Sequence, residues 1–136
     1  KVLPEAFTCF TLNLDNLSEL TKRFGYTVGD GVLKDFAGLV QLMGDTEGMR
    51  GYNGIGRFVV FFEECSSKKA AAMIRILDNQ VEEYNSLNPE YPIRYTAAWA
   101  TTEETDTYEI RELLRLSQKK WKQMEKEKKD KTKEET

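Results

Sequence analysis

The amino-acid sequence predicts an α+β fold in which helices pack on a mainly antiparallel sheet. Hydrophobic patterns follow one another as strand, helices, hairpin, helix, strand and helix, a βαββαβ-like order. The 136 residues are 40% hydrophobic and 11% aromatic, which is enough for one buried core. We therefore expect one domain over residues 1–126. The charged segment over residues 127–136 is expected to be a disordered tail, with a solvated helix end as the alternative.

The first strand is predicted over residues 7–15, where apolar and polar side chains alternate. The apolar set, which is expected to face helices, consists of Phe10, Leu12 and Leu14. The opposite face is expected to carry Cys9, Thr11, Asn13 and Asp15. A short helix follows over residues 16–24, and the glycine-rich residues 25–31 predict a break. Asp30 is then expected to cap a second helix, whose apolar residues recur at helical spacing as far as Met43.

A β-hairpin is predicted next, with a short strand over residues 49–53 and a turn at 54–56. Residues 57–63 form a strongly apolar run, which is typical of a central strand buried on both faces. Ser66 is a good N-cap for a third helix, which Asn88 and Pro89 should end. The last strand is predicted over residues 93–101, with one face formed by Ile93, Tyr95, Ala97 and Trp99. The final helix, over residues 108–126, should face inward with Ile110, Leu113, Leu114, Ser117, Trp121 and Met124.

The composition excludes several classes of function. Because the chain contains no histidine, a His-based zinc site and a Ser/His or Cys/His catalytic pair are impossible. Cys9 and Cys65 form no CxxC motif and are expected to be buried, reduced thiols. The net charge of −3 and the mixing of lysines with acidic residues in the tail argue against nucleic-acid binding. No apolar stretch approaches 18 residues, so we expect no membrane contact by this segment.

Three stretches of the sequence together resemble the GGDEF (diguanylate cyclase) family. Asn13-Leu14-Asp15 resembles the family's D-x-D strand, and Gly25, Gly29, Asp30 and Leu33 match its G-H-x-x-G-D-x-x-L motif at the same spacing. Gly54-Ile55-Gly56-Arg57-Phe58 stands where the family has its GG[DE]EF hairpin. Residues 113–117, followed by Trp121, resemble the last helix of the family. The resemblance covers residues 7–126 and implies a ferredoxin-like fold of the nucleotidyl-cyclase type.

Members of this family join two GTP molecules into cyclic di-GMP with the help of two metal ions. The resemblance implies that these ions are held by the first Asp of the strand motif and by the third residue of the hairpin motif. Those positions are Asn13 and Gly56 here, and Arg57 replaces the usual Glu that follows. Removing even one group that stabilises the transition state costs roughly 10²–10³ in rate. We therefore expect no enzyme activity, no catalytic residue and no metal site, with Mg²⁺ bound only if nucleotide binding survives.

The resemblance also indicates a remnant nucleotide site. Its candidate residues are Asn13, Asp15, Thr21, Asp30, Gly54, Ile55, Gly56 and Arg57. Thr21 and Asp30 correspond to the guanine-reading residues, and Glu125 corresponds to a phosphate-binding Lys, with Lys126 one position away. Structural roles compete at several positions, because Asp30 can serve as a helix cap and Arg57 as a solvated side chain. The family's R-x-x-D product site is absent, since residues 45–48 read Asp-Thr-Glu-Gly.

The leading hypothesis is a catalytically inactive signalling domain that belongs to a larger bacterial protein. It would act in the cytoplasm as a regulatory or protein-interaction module, whether or not the parent protein is anchored in a membrane. Its expected partners are other domains of the parent or a partner signalling protein, and a homodimer and GTP binding stay open. The first alternative is a receptor for GTP or a cyclic di-GMP-related nucleotide. The second is a residual nucleotide-hydrolysing or diguanylate cyclase enzyme that uses Asp15 as a lone metal ligand.

Overall fold

A four-stranded antiparallel sheet forms the centre of the computed structural model, which describes residues 6–43, 49–52, 56–105 and 109–135. The strands are β1 (Thr8–Leu14), β2 (Met49–Tyr52), β3 (Arg57–Phe62) and β4 (Tyr95–Thr101), in the order β2-β3-β1-β4. The helices are α1 (Leu17–Phe24), α2 (Tyr26–Gln41), α3 (Ser67–Leu87) and α4 (Ile110–Glu135). This arrangement confirms the predicted α+β class. None of the helices within the described ranges is long and apolar enough to cross a membrane.

The alternation along β1 divides the interior into two layers, as predicted. Phe10, Leu12 and Leu14 are buried in the main core, where α1, α2 and α3 cover one face of the sheet. Cys9 lies on the opposite face and is buried with Leu113 of α4 in a smaller cluster. Both cysteines are free and buried, which confirms the expectation of reduced thiols. The central strands are therefore covered on both sides, by three helices on one and by α4 on the other.

The predicted hairpin is confirmed by the antiparallel pairing of β2 with β3, in which Tyr52 stands opposite Phe58. β3 also pairs with β1, so it lies inside the sheet as its apolar run predicted. Phe58 and Val60 are buried, whereas the side chains that face α4, Val59 and Phe61, are only half-buried. One face is thus covered less completely than expected. Residues 44–48 and 53–55 lie outside the described residues, so most of the predicted turn at 54–56 is not described.

The expectation that Asp30 caps the second helix is wrong. α2 begins at Tyr26, directly after Gly25, so Asp30 lies inside the helix. Gly25 alone makes the break, because its φ of 96° is one that glycine adopts without steric cost. Its N–H also donates to Thr21 O at 3.0 Å and so closes α1. The glycines at 29 and 31 are part of α2 and do not extend the break.

The α3 helix agrees with the sequence pattern at both ends, whereas α4 agrees only in its middle turns. The hydroxyl of Ser66 accepts a hydrogen bond from Lys69 N at 3.2 Å, and α3 ends at Leu87 with Asn88 as its C-cap, as predicted. In α4, Leu113, Ser117 and Trp121 are buried, but Ile110 is 52% exposed and Met124 is 38% exposed. The prediction that Ile110 and Met124 face inward is therefore wrong.

The position of Met124 explains its exposure. It lies between Lys120 and Lys128, which donate to the Trp99 and Tyr95 carbonyls of β4, so this part of α4 overhangs the outermost strand. Ile110 lies in the first turn of α4, before the helix reaches the sheet. Residues 127–135 continue the helix. Residues 127–131 of this extension are exposed, which agrees with the solvated helix end that was the alternative to a disordered tail.

Candidate functional site

Polar side chains meet at one end of the sheet, where β1 ends and both β3 and β4 begin. Asn13 of β1 stands opposite Arg57 of β3 and Thr96 of β4 in the strand register. Asp15 follows directly after β1, and its N–H donates to Arg94 O at 2.8 Å. The alternation of β1 places the Asn13 and Asp15 side chains on the face that α4 covers. The structure thus brings four of the sequence-predicted site residues to one place: Asn13, Asp15, Gly56 and Arg57.

The Asp15 carboxylate is held by three neighbours. Asn13 Nδ2 donates to Asp15 Oδ1 at 2.8 Å, and Thr96 Oγ1 donates to Asp15 Oδ2 at 2.5 Å. Lys128 Nζ lies 3.6 Å from Asp15 Oδ2, while only 21% of the Asp15 side chain is exposed. Both carboxylate oxygens are therefore engaged by side chains of the chain itself.

Glu125 and Lys128 bring α4 into this cluster, and sequence reasoning missed this contact. Lys128 Nζ donates to Thr96 Oγ1 and to Tyr95 O, the latter at 3.0 Å. Burial raises the pKa of the Glu125 carboxyl; hydrogen bonding with Thr96 opposes the rise, and nearby Asp15 adds to it. A signal was present in the sequence, because Trp121, Glu125 and Lys128 recur at helical spacing and Thr96 interrupts an apolar strand.

Gly56 lies beside this cluster in a backbone conformation that disfavours a side chain. Its φ is 91°, in the left-handed region, and its carbonyl accepts a hydrogen bond from Leu14 N at 2.8 Å. A Cβ at this position would lie 3.3 Å from Leu17 Cδ2 and 3.4 Å from Leu14 Cβ. The space that an acidic side chain would enter is therefore bordered by two leucines. An L-residue here would also be strained.

The Arg57 guanidinium stacks on Trp121 of α4, with Cζ 4.2 Å from the ring centroid. Arg57 is half-buried, which corrects the alternative that it is a solvated side chain at the start of a strand. Such a cation–π pair contributes about 0.5–2 kcal/mol, depending on how far it is desolvated. A groove of about 310 Å³ follows α4 beside this pair, and it is lined by Trp121, Lys122, Glu125, Lys126 and Lys129.

The other candidate residues lie on α1 and α2 or outside the described residues. Thr21 Oγ1 donates to Leu17 O at 2.9 Å, and Thr21 packs against Gly29 at the junction of α1 and α2. Asp30, on α2, forms a salt bridge of 3.0 Å with Lys34. These two residues therefore belong to the helix pair rather than to the cluster around Asp15. Gly54 and Ile55 lie outside the described residues.

The residues at this end of the sheet do not fit a magnesium site. Mg²⁺ prefers octahedral oxygen coordination with one or two carboxylates. Asn13 contributes no charge and its amide nitrogen is turned toward Asp15, while Gly56 has no side chain and its carbonyl is already bonded to Leu14. Within the described part of the chain, no three His, Cys, Asp or Glu side chains are grouped so that they could hold a metal ion.

Several solved structures share this fold. The chain superposes on the active GGEEF domain of a diguanylate cyclase from Vibrio cholerae with a TM-score of 0.79 and 19% identity, covering 90% of this chain and 78% of that one. An EAL/GGDEF domain protein from M. capsulatus gives a TM-score of 0.72 and 14% identity, with 90% and 80% covered. The GGDEF domain of DgcB from Caulobacter crescentus, in complex with c-di-GMP, gives 0.60 and 14%, with 71% and 59% covered. No curated protein matches the chain in sequence.

The sequence itself carries the family assignment. The profile described as "Diguanylate cyclase, GGDEF domain" matches residues 3–131, which is nearly the whole chain. The match includes β1 with the Asp15 that follows it, the hairpin around Gly56 and α4 as far as residue 131, so it covers the elements that build the cluster described above. It therefore confirms the resemblance seen in the sequence motifs. The chain belongs to the GGDEF family of signalling domains, which is the family of the diguanylate cyclases.

Proposed function

We propose that this chain is a catalytically inactive GGDEF domain of a larger bacterial protein, in which it serves as a regulatory or protein-interaction module. The observation that carries the proposal is the pair of residues at the metal-binding positions. Asn13 supplies no charge, and Gly56 supplies neither a side chain nor a backbone in which one is readily placed. Without two metal ions the negative charge of the triphosphate would stay uncompensated during transfer.

The charges around Asp15 support the same proposal. Asp15 is engaged by Asn13, Thr96 and Lys128, so metal binding would require these contacts to break. The Glu125 carboxyl lies in the same cluster, beside Asp15 and Thr96. A second carboxylate there would repel a triphosphate rather than attract it. These contacts also count against residual hydrolysis with Asp15 as a lone metal ligand.

The test is a synthesis assay on the purified chain. It would be incubated with GTP and either Mg²⁺ or Mn²⁺, and cyclic di-GMP would be measured by chromatography. The active domain from Vibrio cholerae would serve as the positive control in the same buffer. We expect no product above the level without protein. Cyclic di-GMP formation that disappears in Asp15→Asn would overturn the proposal.

The proposed setting is a multidomain parent in the cytoplasm. One similar structure comes from a protein described as containing both EAL and GGDEF domains, so relatives of this chain occur joined to other domains. A domain that has lost catalysis can still pass a conformational state between its neighbours, because the fold alone does not fix function. Other domains of the parent, or a partner signalling protein, are therefore the proposed partners.

A second candidate function is a nucleotide receptor. It is favoured by the groove of about 310 Å³ beside Trp121, where the lysines at 122, 126 and 129 could face a phosphate. The Asp30 side chain is 31% exposed, so a guanine edge could still reach it. The similar DgcB domain was solved with c-di-GMP bound, which makes this ligand the natural second probe.

Calorimetric titration separates the receptor from the interaction module. GTP and then cyclic di-GMP would be added, each with and without Mg²⁺. Micromolar GTP binding, about −8 kcal/mol, would favour the receptor, and Asp30→Ala should then weaken it. Glu82→Gln, a change on the exposed side of α3, is the matched control. Equal binding by Asp30→Ala, or no heat with either nucleotide, would leave the interaction module as the better account.

A further inference from the structure

The exposed side of α4 carries an unbroken row of basic residues. Six of them lie within an arc of about 80° around the helix, at 3.6 residues per turn. They are Arg111, Arg115, Lys119, Lys122, Lys126 and Lys129, and we call them the basic row. All six are exposed. At 1.5 Å per residue the row is about 27 Å long.

Acidic residues of α4 flank this row on both sides. Arg115 forms a salt bridge of 3.0 Å with Glu112, and Glu125 lies about 40° beyond the other edge of the row. Glu112, Glu127 and Asp130 form a second strip beside it, at about 100–160° on the helical wheel when Arg111 is at 0°. Within the described part of α4, the arc of the basic row itself holds no acidic residue. Along the sequence lysines and acids alternate, whereas around the helix the six residues of the basic row lie together, between Glu125 on one side and the acidic strip on the other. The order of charges along the chain is typical of a mixed, solvated segment, and the basic row becomes visible only when the residues are placed around the helix.

The charge of the whole chain is also divided. Residues 110–136 carry ten Lys and Arg against six Asp and Glu, whereas residues 1–109 carry ten against seventeen. α4 is thus a basic element on an otherwise acidic domain, although the net charge is only −3. Such an asymmetry steers a partner of the opposite charge toward one face of the molecule.

We propose that the basic row is a docking surface for an acidic segment of a partner protein, with Asp or Glu repeated at helical spacing. The inference rests on the interaction role proposed above and not on the loss of catalysis. Residues three and four positions apart form the row, and this is the spacing at which two parallel or antiparallel helices face each other. The acidic strip beside it would pair with basic residues on the same partner.

A mixed-charge protein fits this surface better than a uniform polyanion does. A nucleic acid or an anionic membrane would meet the strip of Glu112, Glu127 and Asp130 as well as the basic row, and the strip would repel it. The exposed apolar residues of α4, Ile110 and Met124, lie on roughly the opposite side of the helix. They therefore offer no apolar anchor next to the row, such as a helix lying in a membrane surface needs.

The interaction should be weak per contact and sensitive to salt. Exposed ion pairs contribute little individually, so affinity depends on the whole row acting together. Screening becomes strong once exposed charges are separated by more than about 8–10 Å at physiological salt. We therefore expect clear binding of the acidic segment at 50 mM salt and weaker binding at 200 mM. At both salt concentrations a segment with Asp or Glu at helical spacing should bind more tightly than one without that spacing.

The test compares a patterned peptide with matched polyanions. The probe is a fluorescent, helix-forming peptide of 21 residues, with Glu repeated at three- and four-residue spacing and Lys on the adjoining strip. Its binding to the 136-residue chain would be measured by anisotropy. The comparison ligands are a scrambled peptide of equal composition, vesicles with one quarter anionic lipid, and a 20-base-pair DNA duplex. We expect the patterned peptide to bind more tightly than each of them.

The variants decide whether the basic row is the surface used. The triple change K119Q/K122Q/K126Q should lower peptide affinity by roughly tenfold. The control K22Q/K68Q/K131Q removes the same charge at exposed positions outside the row and should leave the affinity within about twofold. Equal binding of the scrambled peptide, tighter binding of vesicles or duplex, or an equal loss in the control would overturn the proposal. If the chain made cyclic di-GMP, the proposed loss of catalysis would be wrong, but the peptide-binding result would still decide whether the basic row is a docking surface.

Discussion

At the scale of single residues, Gly56 shows how one backbone angle affects chemistry. The third position of the hairpin motif has a φ of 91°, and a side chain there would meet Leu17 and Leu14 at 3.3–3.4 Å. Position 56 carries no carboxylate, and its backbone conformation and packing also disfavour any side chain there. Asn13, by contrast, lies in regular strand geometry, where an Asp of nearly the same size would fit.

Gly56→Glu should consequently lower stability without restoring synthesis. We expect a loss of about 1–3 kcal/mol, the usual cost of a strained backbone conformation at a non-glycine residue. Urea denaturation would measure it. Gly31→Glu is the matched control, because Gly31 lies in α2 with open space around it, and it should be neutral or slightly stabilising. The double variant Asn13→Asp/Gly56→Glu should make no cyclic di-GMP, and a working double variant would contradict this account.

Glu125 is a single residue that makes the stability of the protein depend on pH. Because the folded state raises the pKa of this carboxyl, it binds the proton more strongly than the unfolded chain does. Its contribution to stability therefore falls as pH rises above the unfolded value of about 4.3. Glu125→Gln should stabilise the protein at pH 7, by no more than about 1 kcal/mol since solvent screens the group.

Thermal denaturation at pH 7 and at pH 4.5 checks the prediction for Glu125. The advantage of Glu125→Gln should shrink at the lower pH, where Glu125 itself is increasingly protonated. Glu127→Gln, a change at an exposed position on the same helix, is the matched control. A variant less stable than the parent at pH 7 would mean that an ionised Glu125 pairs productively with Lys128.

At the scale of the elements, the junction of α1 and α2 depends on one glycine. A Cβ at Gly29 would lie 2.3 Å from Thr21 Oγ1 and 3.3 Å from Thr21 Cβ. The two helices therefore pack closely only because no side chain stands at position 29. Thr21 cannot turn away easily, since a β-branched side chain has few rotamers in a helix and its hydroxyl is bonded to Leu17 O.

Two substitutions in α2 should accordingly have opposite signs. Gly29→Ala should destabilise by about 1–3 kcal/mol through overpacking. Gly38→Ala, where nothing lies within 4 Å of the added Cβ, should stabilise by about 0.5–1 kcal/mol. Midpoints of thermal unfolding would compare them. Thr21→Ala should recover part of the loss in Gly29→Ala, and an absence of recovery would argue against the contact.

At the scale of the whole molecule, one sheet supports two layers of different size. Trp99 packs against the main core beneath α1, α2 and α3. Trp121 belongs to α4 and is buried on the opposite side of the sheet, where the Arg57 guanidinium stacks on its ring. Because β1 contributes buried side chains to both layers, we expect the layers to unfold together.

Single-tryptophan variants test this cooperativity. In Trp99→Phe the remaining fluorescence reports on the α4 layer, and in Trp121→Phe it reports on the main core. Within each variant, the denaturation curves from fluorescence and from far-ultraviolet circular dichroism should coincide. If the Trp121 signal changed at a clearly lower denaturant concentration than the circular dichroism, α4 would be a separate, detachable layer.

The sequence by itself determined the order of the elements and the family motifs. Alternation along β1, the hairpin before β3 and the Ser66 cap were all predicted and found, because they depend on periodicity and on residues close together in the chain. The motif positions also place Asn13 and Gly56 where the resemblance implies metal-binding carboxylates in the family. The observed start of α2 at Tyr26 lies before the predicted cap at Asp30, because Gly29 is a packing residue inside the helix and not part of a break.

Only the tertiary structure decided what surrounds the remaining carboxylate. Thr96 and Lys128 are 81 and 113 residues away from Asp15 in the chain, and they reach it because β4 pairs with β1 and α4 crosses both strands. The exposure of all six residues of the basic row likewise appears only in the packed structure, which shows the side of α4 that the sheet leaves uncovered. Periodicity fixes the side of an element on which a residue stands, but contacts between distant segments depend on how the elements pack.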